Sequence, residues 1–426
     1  MKTVLILAVH FPPSGGVGVF RTLKFVKYLP ECGWRPVVVT IPAESAKRVS
    51  DTSLLREVPA DVAVHRPFFF DYRKVVGGDI ARLIRPIEQR INFPDKYVLW
   101  NRFAFRYIRR RIMPFEKIDL VYASLGPHST MLLAQRLKRR YNIPFVLDFR
   151  DPFSFSQYSL LDDQIRWRRR AEALEASVFR DAAGINHVSP VWKNRYEQLH
   201  PAIAGRSTLI YNGYDEDDFT DLGPETRHAC FTVGYNGSFS RLAPPAPLAQ
   251  AIRMLHERHG IAVRLRLAGP TGERKARSAF AYLFEHGLVD INGFLPHRKS
   301  LANLYQADAA VLVLNDIAAT EGMIPAKIFE YMRIGRPVLV LHRRKGYLAE
   351  LIQRTGTGMA VDIDDNEGIA AALMQLQAAW RRGGVIYEPK PEKIQQFERR
   401  VLTRKLAAVF DRLTEGAAGR PQEVHR

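Results

Sequence analysis

Val4-Leu5-Ile6-Leu7-Ala8-Val9 is an unbroken apolar run that passes directly into His10-Phe11-Pro12-Pro13-Ser14-Gly15-Gly16-Val17-Gly18. Beyond the glycines, Phe20, Leu23, Val26 and Leu29 recur at helical spacing. A short apolar run, a Pro/Gly-rich turn and an amphipathic helix, in that order, form the strand–loop–helix unit from which parallel sheets are built. The loop therefore sits at a strand's carboxyl edge, where doubly wound sheets bind ligands and glycines let backbone N–H groups approach a phosphate. Gly15-Gly16-x-Gly18 departs from the spaced glycines of the dinucleotide fingerprint, which weighs against a nicotinamide or flavin cofactor. Alone, the loop reads equally well as a tight turn without ligand.

Working outward, the same alternation runs the length of the chain. Strands are predicted near Val4–Val9, Val37–Thr40, Leu120–Ser124, Phe145–Asp148, Gly184–Val188 and Leu209–Tyr211, with helices such as Phe20–Leu29 and Thr130–Arg140 between them. A second series begins at Phe231–Tyr235 and continues through Arg264–Ala268, Val289–Ile291, Ala309–Leu314, Pro337–Leu341 and Met359–Val361. The class is α/β, with one sheet in each half. The polar, Pro/Gly-containing stretch after Asp215 suits a surface hinge. The expected organisation is a first domain over 1–215, a hinge over 216–229, a second domain over 230–390, and over 391–426 a C-terminal helix crossing back to the first domain before a frayed tail.

The first apolar run is too short for, and lacks the basic start and cleavage site of, a secretory signal, and no run reaches the roughly eighteen residues of a membrane span. With only two cysteines, Cys32 and Cys230, a disulfide framework is not expected, and we expect a cytoplasmic protein. A formal charge of +19 and a pI near 10.0 call for an anionic partner: nucleic acid, an acidic membrane surface or a phosphorylated substrate. No nucleic-acid-binding motif accompanies the charge. Between Arg66 and Lys117, thirteen Lys/Arg stand against five Asp/Glu, interleaved with Phe68-Phe69-Phe70, Ile84, Phe93, Trp100, Phe103 and Phe105. That mixture reads either as a membrane-surface footprint, placing the protein peripherally on the inner face of the plasma membrane, or as a solvated face with core aromatics behind it.

The sharpest constellation is Gly322-Met323-Ile324-Pro325-Ala326-Lys327-Ile328-Phe329-Glu330-Tyr331-Met332-Arg333-Ile334-Gly335-Arg336-Pro337. Proline sits where a helix would begin, Lys327 and Glu330 lie three apart on one face, and Gly335 ends the helix before a strand. An ammonium beside the N–H groups of a helix start can hold a diphosphate, and a carboxylate can accept both hydroxyls of a ribose. In isolation the pair would be an ordinary surface ion pair.

This segment resembles the donor-binding helix of retaining GT-B glycosyltransferases of family 4, with Glu330 matching the second Glu of the family motif. Other pieces follow in the family's order: His187-Val188-Ser189, Tyr211-Asn212-Gly213-Tyr214-Asp215, the loop Tyr235-Asn236-Gly237-Ser238 and the base-contacting loop Asn292-Gly293-Phe294-Leu295. Phe11-Pro12-Pro13, Arg21, Lys27-Tyr28-Leu29, Gly33-Trp34, Phe93-Pro94-Asp95, Trp100 and Asp148-Phe149-Arg150-Asp151-Pro152 are similar to a bacterial subgroup acting in surface-polysaccharide assembly.

The resemblance implies two Rossmann-like doubly wound domains facing a cleft. It also implies sugar transfer from a nucleotide sugar to a glycan or polyprenyl-linked acceptor with retention of configuration. No metal or cofactor is expected, the nucleotide sugar being a co-substrate, with UDP-sugar favoured over GDP-sugar. Gly15, Gly16, Gly237, Ser238, Arg241, Ile324 and Lys327 would hold the donor's phosphates and Glu330 its ribose. Gly293, Phe294 and Leu295 would meet the base, and Glu321, Gly322 and Met323 the sugar. Asp151 or His128 would act on the acceptor side, His128 as a base near neutral pH. Asp148 is expected at the same strand end.

Three positions depart from the family pattern. The motif's first Glu falls on Gly322, with Glu321 displaced by one; the Lys after the Gly237 loop has only Arg241 nearby; and the family's acceptor-side His is replaced by Arg150-Asp151. A noncatalytic nucleotide-sugar-binding assembly partner or sensor is therefore the alternative reading. Asp215-Glu216-Asp217 and Asp362-Ile363-Asp364 are expected to be turn and cap residues.

Overall fold

The computed structural model describes residues 1–45, 50–69, 92–155, 165–224, 228–269, 277–317, 320–384 and 387–418. The chain divides into two compact units, Met1–Asn212 with Arg399–Arg426, and Gly213–Glu398.

The first unit is built on seven strands: β1 (Lys2–Leu7), β2 (Trp34–Val39), β3 (Ala63–His65), β4 (Leu120–Leu125), β5 (Phe145–Phe149), β6 (Gly184–His187) and β7 (Ser207–Leu209). They lie in the order β3-β2-β1-β4-β5-β6-β7, every described pair parallel. Covered on both faces, the inner strands need apolar residues at successive positions, which is why Val4 to Leu7 read as a continuous run. The order reverses at β1, so the loop of Gly15 and Gly16 lies at the switch point of the sheet. Gly16, at φ 95°, caps the helix Val17–Tyr28 with no side-chain capping bond. The helix Arg399–Ala418 completes this unit, placing Leu402, Leu406 and Phe410 in one core with Val4, Ile6, Tyr122 and Val146.

The second unit carries β8 (Phe231–Asn236), β9 (Val263–Ala268), β10 (Val289–Ile291), β11 (Ala309–Val313), β12 (Val338–His342) and β13 (Gly358–Asp362). Their order is β10-β9-β8-β11-β12-β13, again parallel. The α/β class and the two Rossmann-like sheets are as the sequence predicts.

β1 closes at Leu7 rather than Val9 and β2 opens at Trp34 rather than Val37, and two further strands differ from expectation for a reason the structure shows. β3 was not anticipated, because Ala63-Val64-His65 is a three-residue, half-buried edge strand with no apolar run to betray it. β7 ends at Leu209 rather than Tyr211, because the next two carbonyls turn to another partner: Arg21 donates Nη2–H to Ile210 O at 2.9 Å and Nη1–H to Tyr211 O at 2.6 Å. The segment expected as a hinge counts within the second unit, where Glu216–Phe219 forms a short 3₁₀ helix, Asp215 accepts from Asp217 N and Asp218 is buried.

Arg21 also donates Nε–H and Nη2–H to Asp148, both at 2.7 Å, and both side chains are essentially fully buried. Asp148 is therefore committed to the interior and is not an acceptor-side group. Asp148 raises the Arg21 pKa, against the desolvation that opposes it. Removing either member leaves an uncompensated charge in the core, a loss of about 3–5 kcal/mol. We expect Arg21→Met and Asp148→Asn each to lower stability by that order in urea unfolding, with the double variant far from additive; additive losses below about 1 kcal/mol would contradict this role.

Candidate functional site

In the second unit the carboxyl ends of β8, β9 and β10 run into three glycines with positive φ, Gly237 at 138°, Gly269 at 135° and Gly293 at 64°. Hydrogen bonding continues beyond the strands: Gly237 N–H donates to Ala268 O and Gly269 N–H to Gly293 O, each at 2.7 Å. A Cβ on Gly269 would collide with the Gly237 carbonyl, so the two loops touch backbone to backbone. The expected phosphate loop and base loop are thereby tied together through Gly269, a residue the sequence did not single out.

The helix Lys327–Arg333 follows Pro325 and ends before Gly335, as predicted. Its first-turn amides are less free than expected, since Ile328 N–H and Phe329 N–H already bond Pro325 O and Ala326 O at 3.0 and 3.3 Å. Lys327 Nζ donates to Asn236 O at 3.1 Å, lies 4.2 Å from the Tyr235 ring centroid, and sits 3.2 Å from where a Cβ on Gly237 would be. Burial lowers the Lys327 pKa to about 7, with Glu330 opposing the shift. Tyr331, also missed from sequence, receives Asn236 N–H on its hydroxyl at 2.9 Å and so braces the end of β8.

Glu330 does not close a simple pair with Lys327. Its Oε1 lies 2.8 Å from His297 Nε2. His297 starts the helix His297–Tyr305, two residues after the base loop, and the only sequence signal for it was that position directly after Pro296. Phe294 is 51% exposed, leaving an aromatic face open beside Gly293. Leu295 is partly buried.

The remaining expected donor residues are less gathered. Ser238 is exposed and its carbonyl accepts from Tyr235 Oη at 3.2 Å. Arg241 holds Asn315 through its backbone carbonyl at 3.0 Å, while its exposed side chain makes no ion pair among the described residues. Glu321 is exposed, Gly322 has φ 72°, Met323 N–H turns back to Thr320 O at 2.9 Å, and Ile324 is buried. Asp362, expected as a turn residue, accepts from Arg344 N at 2.5 Å.

In the first unit, Arg150 ties the end of β4 to the first turn of the helix Val17–Tyr28: it donates to Leu125 O at 2.8 Å and also to Gly18 O and Gly126 O. The guanidinium thus secures the switch point where the family pattern would place a histidine. Asp151, the next residue, is exposed. Its loop is fixed from behind: Phe153 N–H donates to Tyr196 Oη at 2.9 Å, Ser154 N–H to Glu175 Oε1 at 3.1 Å, and Tyr196 Oη to the same oxygen at 2.8 Å. His128 reaches the backbone carbonyl of Asp151 at 3.4 Å and lies against Phe153, the ring centroids 4.7 Å apart and the planes tilted by 32°. Burial lowers its pKa to about 4, so it is a far weaker base near neutral pH than the sequence suggested.

Residues 14–218 match the Glycosyltransferase Family 4 model and residues 231–378 the Glycosyl transferases group 1 model. Among solved structures, the chain is similar to a sucrose-phosphate synthase from Thermosynechococcus elongatus, at 16% identity and TM-score 0.67, covering 98% of this chain and 100% of that one. It is similar to a glycosyltransferase from Rickettsia africae, at 14% identity and TM-score 0.64 over 97% and 98% of the two chains. A lipopolysaccharide outer core galactosyltransferase, WaaB, in its apo form aligns at 14% identity and TM-score 0.59 over 97% and 100%. No curated protein matches the chain at a significant level. At these identities the structures speak for the fold, and the two domain matches speak for the family: the chain is a glycosyltransferase of the family 4, GT-B kind.

Proposed function

We propose that the protein transfers a sugar from a nucleotide sugar, UDP-sugar before GDP-sugar, to a glycan or polyprenyl-linked acceptor with retention of configuration. The observation that carries this reading is the convergence of Lys327, Glu330 and the Gly237 and Gly293 loops at one strand edge of the second unit. Lys327 and the Gly237 loop would meet the diphosphate, Glu330 the ribose, Phe294 the base. Negative charge grows on the departing diphosphate, and fixed cations and N–H groups stabilise it without reorganising. The protein's own cations take the part of a metal ion, and Asp151 is the acceptor-side carboxylate.

Turnover separates an enzyme from a noncatalytic nucleotide-sugar sensor. With membrane extract as acceptor, release of nucleoside diphosphate from one of the UDP-, GDP- or ADP-sugars is expected to persist in EDTA. Loss in EDTA with recovery in magnesium or manganese would overturn the metal-independent reading, and no release from any sugar would favour the sensor.

Lys327 gives a second expectation. With a pKa near 7, most of it is neutral at pH 8. A bound diphosphate favours the ammonium and raises that pKa, so binding at pH 8 should take up protons; at pH 6 the group is already charged and uptake should vanish. Calorimetry in buffers of different ionisation enthalpy reads this directly, and Lys327→Met should abolish it. Equal uptake in wild type and Lys327→Met would remove Lys327 from the phosphate site.

The acceptor side invites an anionic bilayer. On the helix Trp100–Tyr107 and the turn Ile108–Ile112, Trp100, Ala104, Phe105, Ile108 and Ile112 face inward, while Arg102, Arg106, Arg109, Arg110 and Arg111 are exposed. Phe68 and Phe103, 60% and 46% exposed, meet edge to face at 5.4 Å beside them. Not every residue of the stretch contributes: Phe69 is core, and Arg66 donates to Ile41 O and Pro12 O. Phe70, Arg82, Ile84, Arg85 and Arg90 lie outside the described residues. Among the described residues no helix is long and apolar enough to cross a membrane. Each surface cation near an anionic bilayer contributes roughly 1 kcal/mol, enough for reversible docking. Co-sedimentation with vesicles should rise with anionic lipid, fall with salt, and weaken when Arg109, Arg110 and Arg111 become Gln; equal recovery on neutral and anionic vesicles would favour a soluble acceptor.

A further inference from the structure

We propose that His297 is a positioning residue that presents Glu330 to the donor's ribose, itself seated against Asp218. This rests on the reading of Glu330 as the ribose-binding carboxylate. Three elements of the second unit meet here: the 3₁₀ helix Glu216–Phe219, the start of the helix His297–Tyr305 and the first turn of the helix Lys327–Arg333. His297 Nε2 is 2.8 Å from Glu330 Oε1, and its Nδ1 is 3.7 Å from Asp218 Oδ2. The side chains are 12%, 22% and 3% exposed for His297, Glu330 and Asp218, so the imidazole is enclosed between two carboxylates while Glu330 keeps an open side.

The arrangement answers a problem that Lys327 leaves unsolved. A glutamate has three rotatable side-chain bonds, and a carboxylate that must receive two vicinal hydroxyls binds them best when already held in place. Lys327 lies on the same helix, but its ammonium is turned to Asn236 O and the Tyr235 ring. The contact that fixes Glu330 comes instead from His297. An N–H on Nε2 occupies one lone pair of Oε1 and leaves Oε2 and the second lone pair of Oε1 for the hydroxyls. Asp218 faces the far side of the ring, its Oδ2 3.7 Å from Nδ1, beyond hydrogen-bonding distance but close enough to favour a proton there. His297 is also two residues from Leu295, so one short segment carries the loop that would meet the base and the side chain that sets the ribose carboxylate. Base contact and ribose contact are thereby mechanically linked through a single turn of chain.

The test uses the full chain and whichever of UDP, GDP or ADP binds it most tightly, together with the 2′,3′-dideoxy form of that nucleotide, by titration calorimetry. His297→Phe keeps the ring volume and removes the donor; it should weaken the ribonucleotide about tenfold, the scale of one hydrogen bond to a charged group, and change the dideoxy form less than about twofold. His297→Gln, whose amide nitrogen reaches toward the Nε2 position, should restore most of the loss, whereas the shorter His297→Asn should not. A merely structural histidine would weaken both nucleotides alike, or leave Gln no better than Asn, and either result overturns the proposal. If His297→Phe does not fold, the Gln and Asn variants carry the comparison alone. Glu330→Gln separates the two readings. If it fails to weaken the ribonucleotide, the ribose assignment is wrong and this inference falls with it; if it weakens the ribonucleotide while His297→Phe does not, only the inference falls.

Discussion

Parallel pairing forces every strand of a sheet to deliver its carboxyl end to the same edge, and each unit of this protein obeys that constraint throughout its described strands. All the chemistry follows from it. In the first unit the edge gathers the glycine loop after β1, the loop after β4 and Asp151 after β5. In the second it gathers Gly237, Gly269 and Gly293, whose backbones continue the hydrogen bonding past the last strand residue. A ligand approaching either edge meets main chain first, because glycine leaves no side chain in the way.

Buried charge is used in two different ways at these edges. Arg21 and Asp148 satisfy each other, the Ile210 and Tyr211 carbonyls take two further guanidinium donors, and the pair lies too deep in the core to meet a ligand. Lys327 is the opposite case. Its ammonium has a carbonyl and an aromatic face but, among the described residues, no carboxylate in an ion pair with it, and burial brings its pKa to about 7. A cation held this far from its usual state gains most when an anion arrives, which suits a site that must stabilise charge as it forms.

Much of the fold was legible because its determinants are local. Apolar runs such as Leu120 to Ser124 and Ala309 to Leu314 need only be counted, and Pro325 and Gly335 bracket their helix in the sequence itself. What could not be read depends on distant partners. β3 is too short and too half-buried to announce itself, and β7 stops early because Arg21, nearly two hundred residues away, takes the next carbonyls. The candidate site divides along the same line. Lys327, Glu330 and the Gly237 loop were visible as a pattern, whereas His297, Tyr331 and Gly269 matter only through contacts with other elements. Asp148 and His128 looked chemical in sequence; burial made one a structural partner and the other a weak base.

The central claim is that the strand edge of the second unit binds the nucleotide of the donor. The most direct measurement is a crystal structure of the full chain grown with the nucleoside diphosphate that binds most tightly. Diphosphate density is expected within hydrogen-bonding reach of Lys327 Nζ and the Gly237 loop, with both ribose hydroxyls on Glu330 and the base against the Gly293–Phe294 loop. A nucleotide bound at full occupancy elsewhere, with Lys327 and Glu330 untouched, would contradict it.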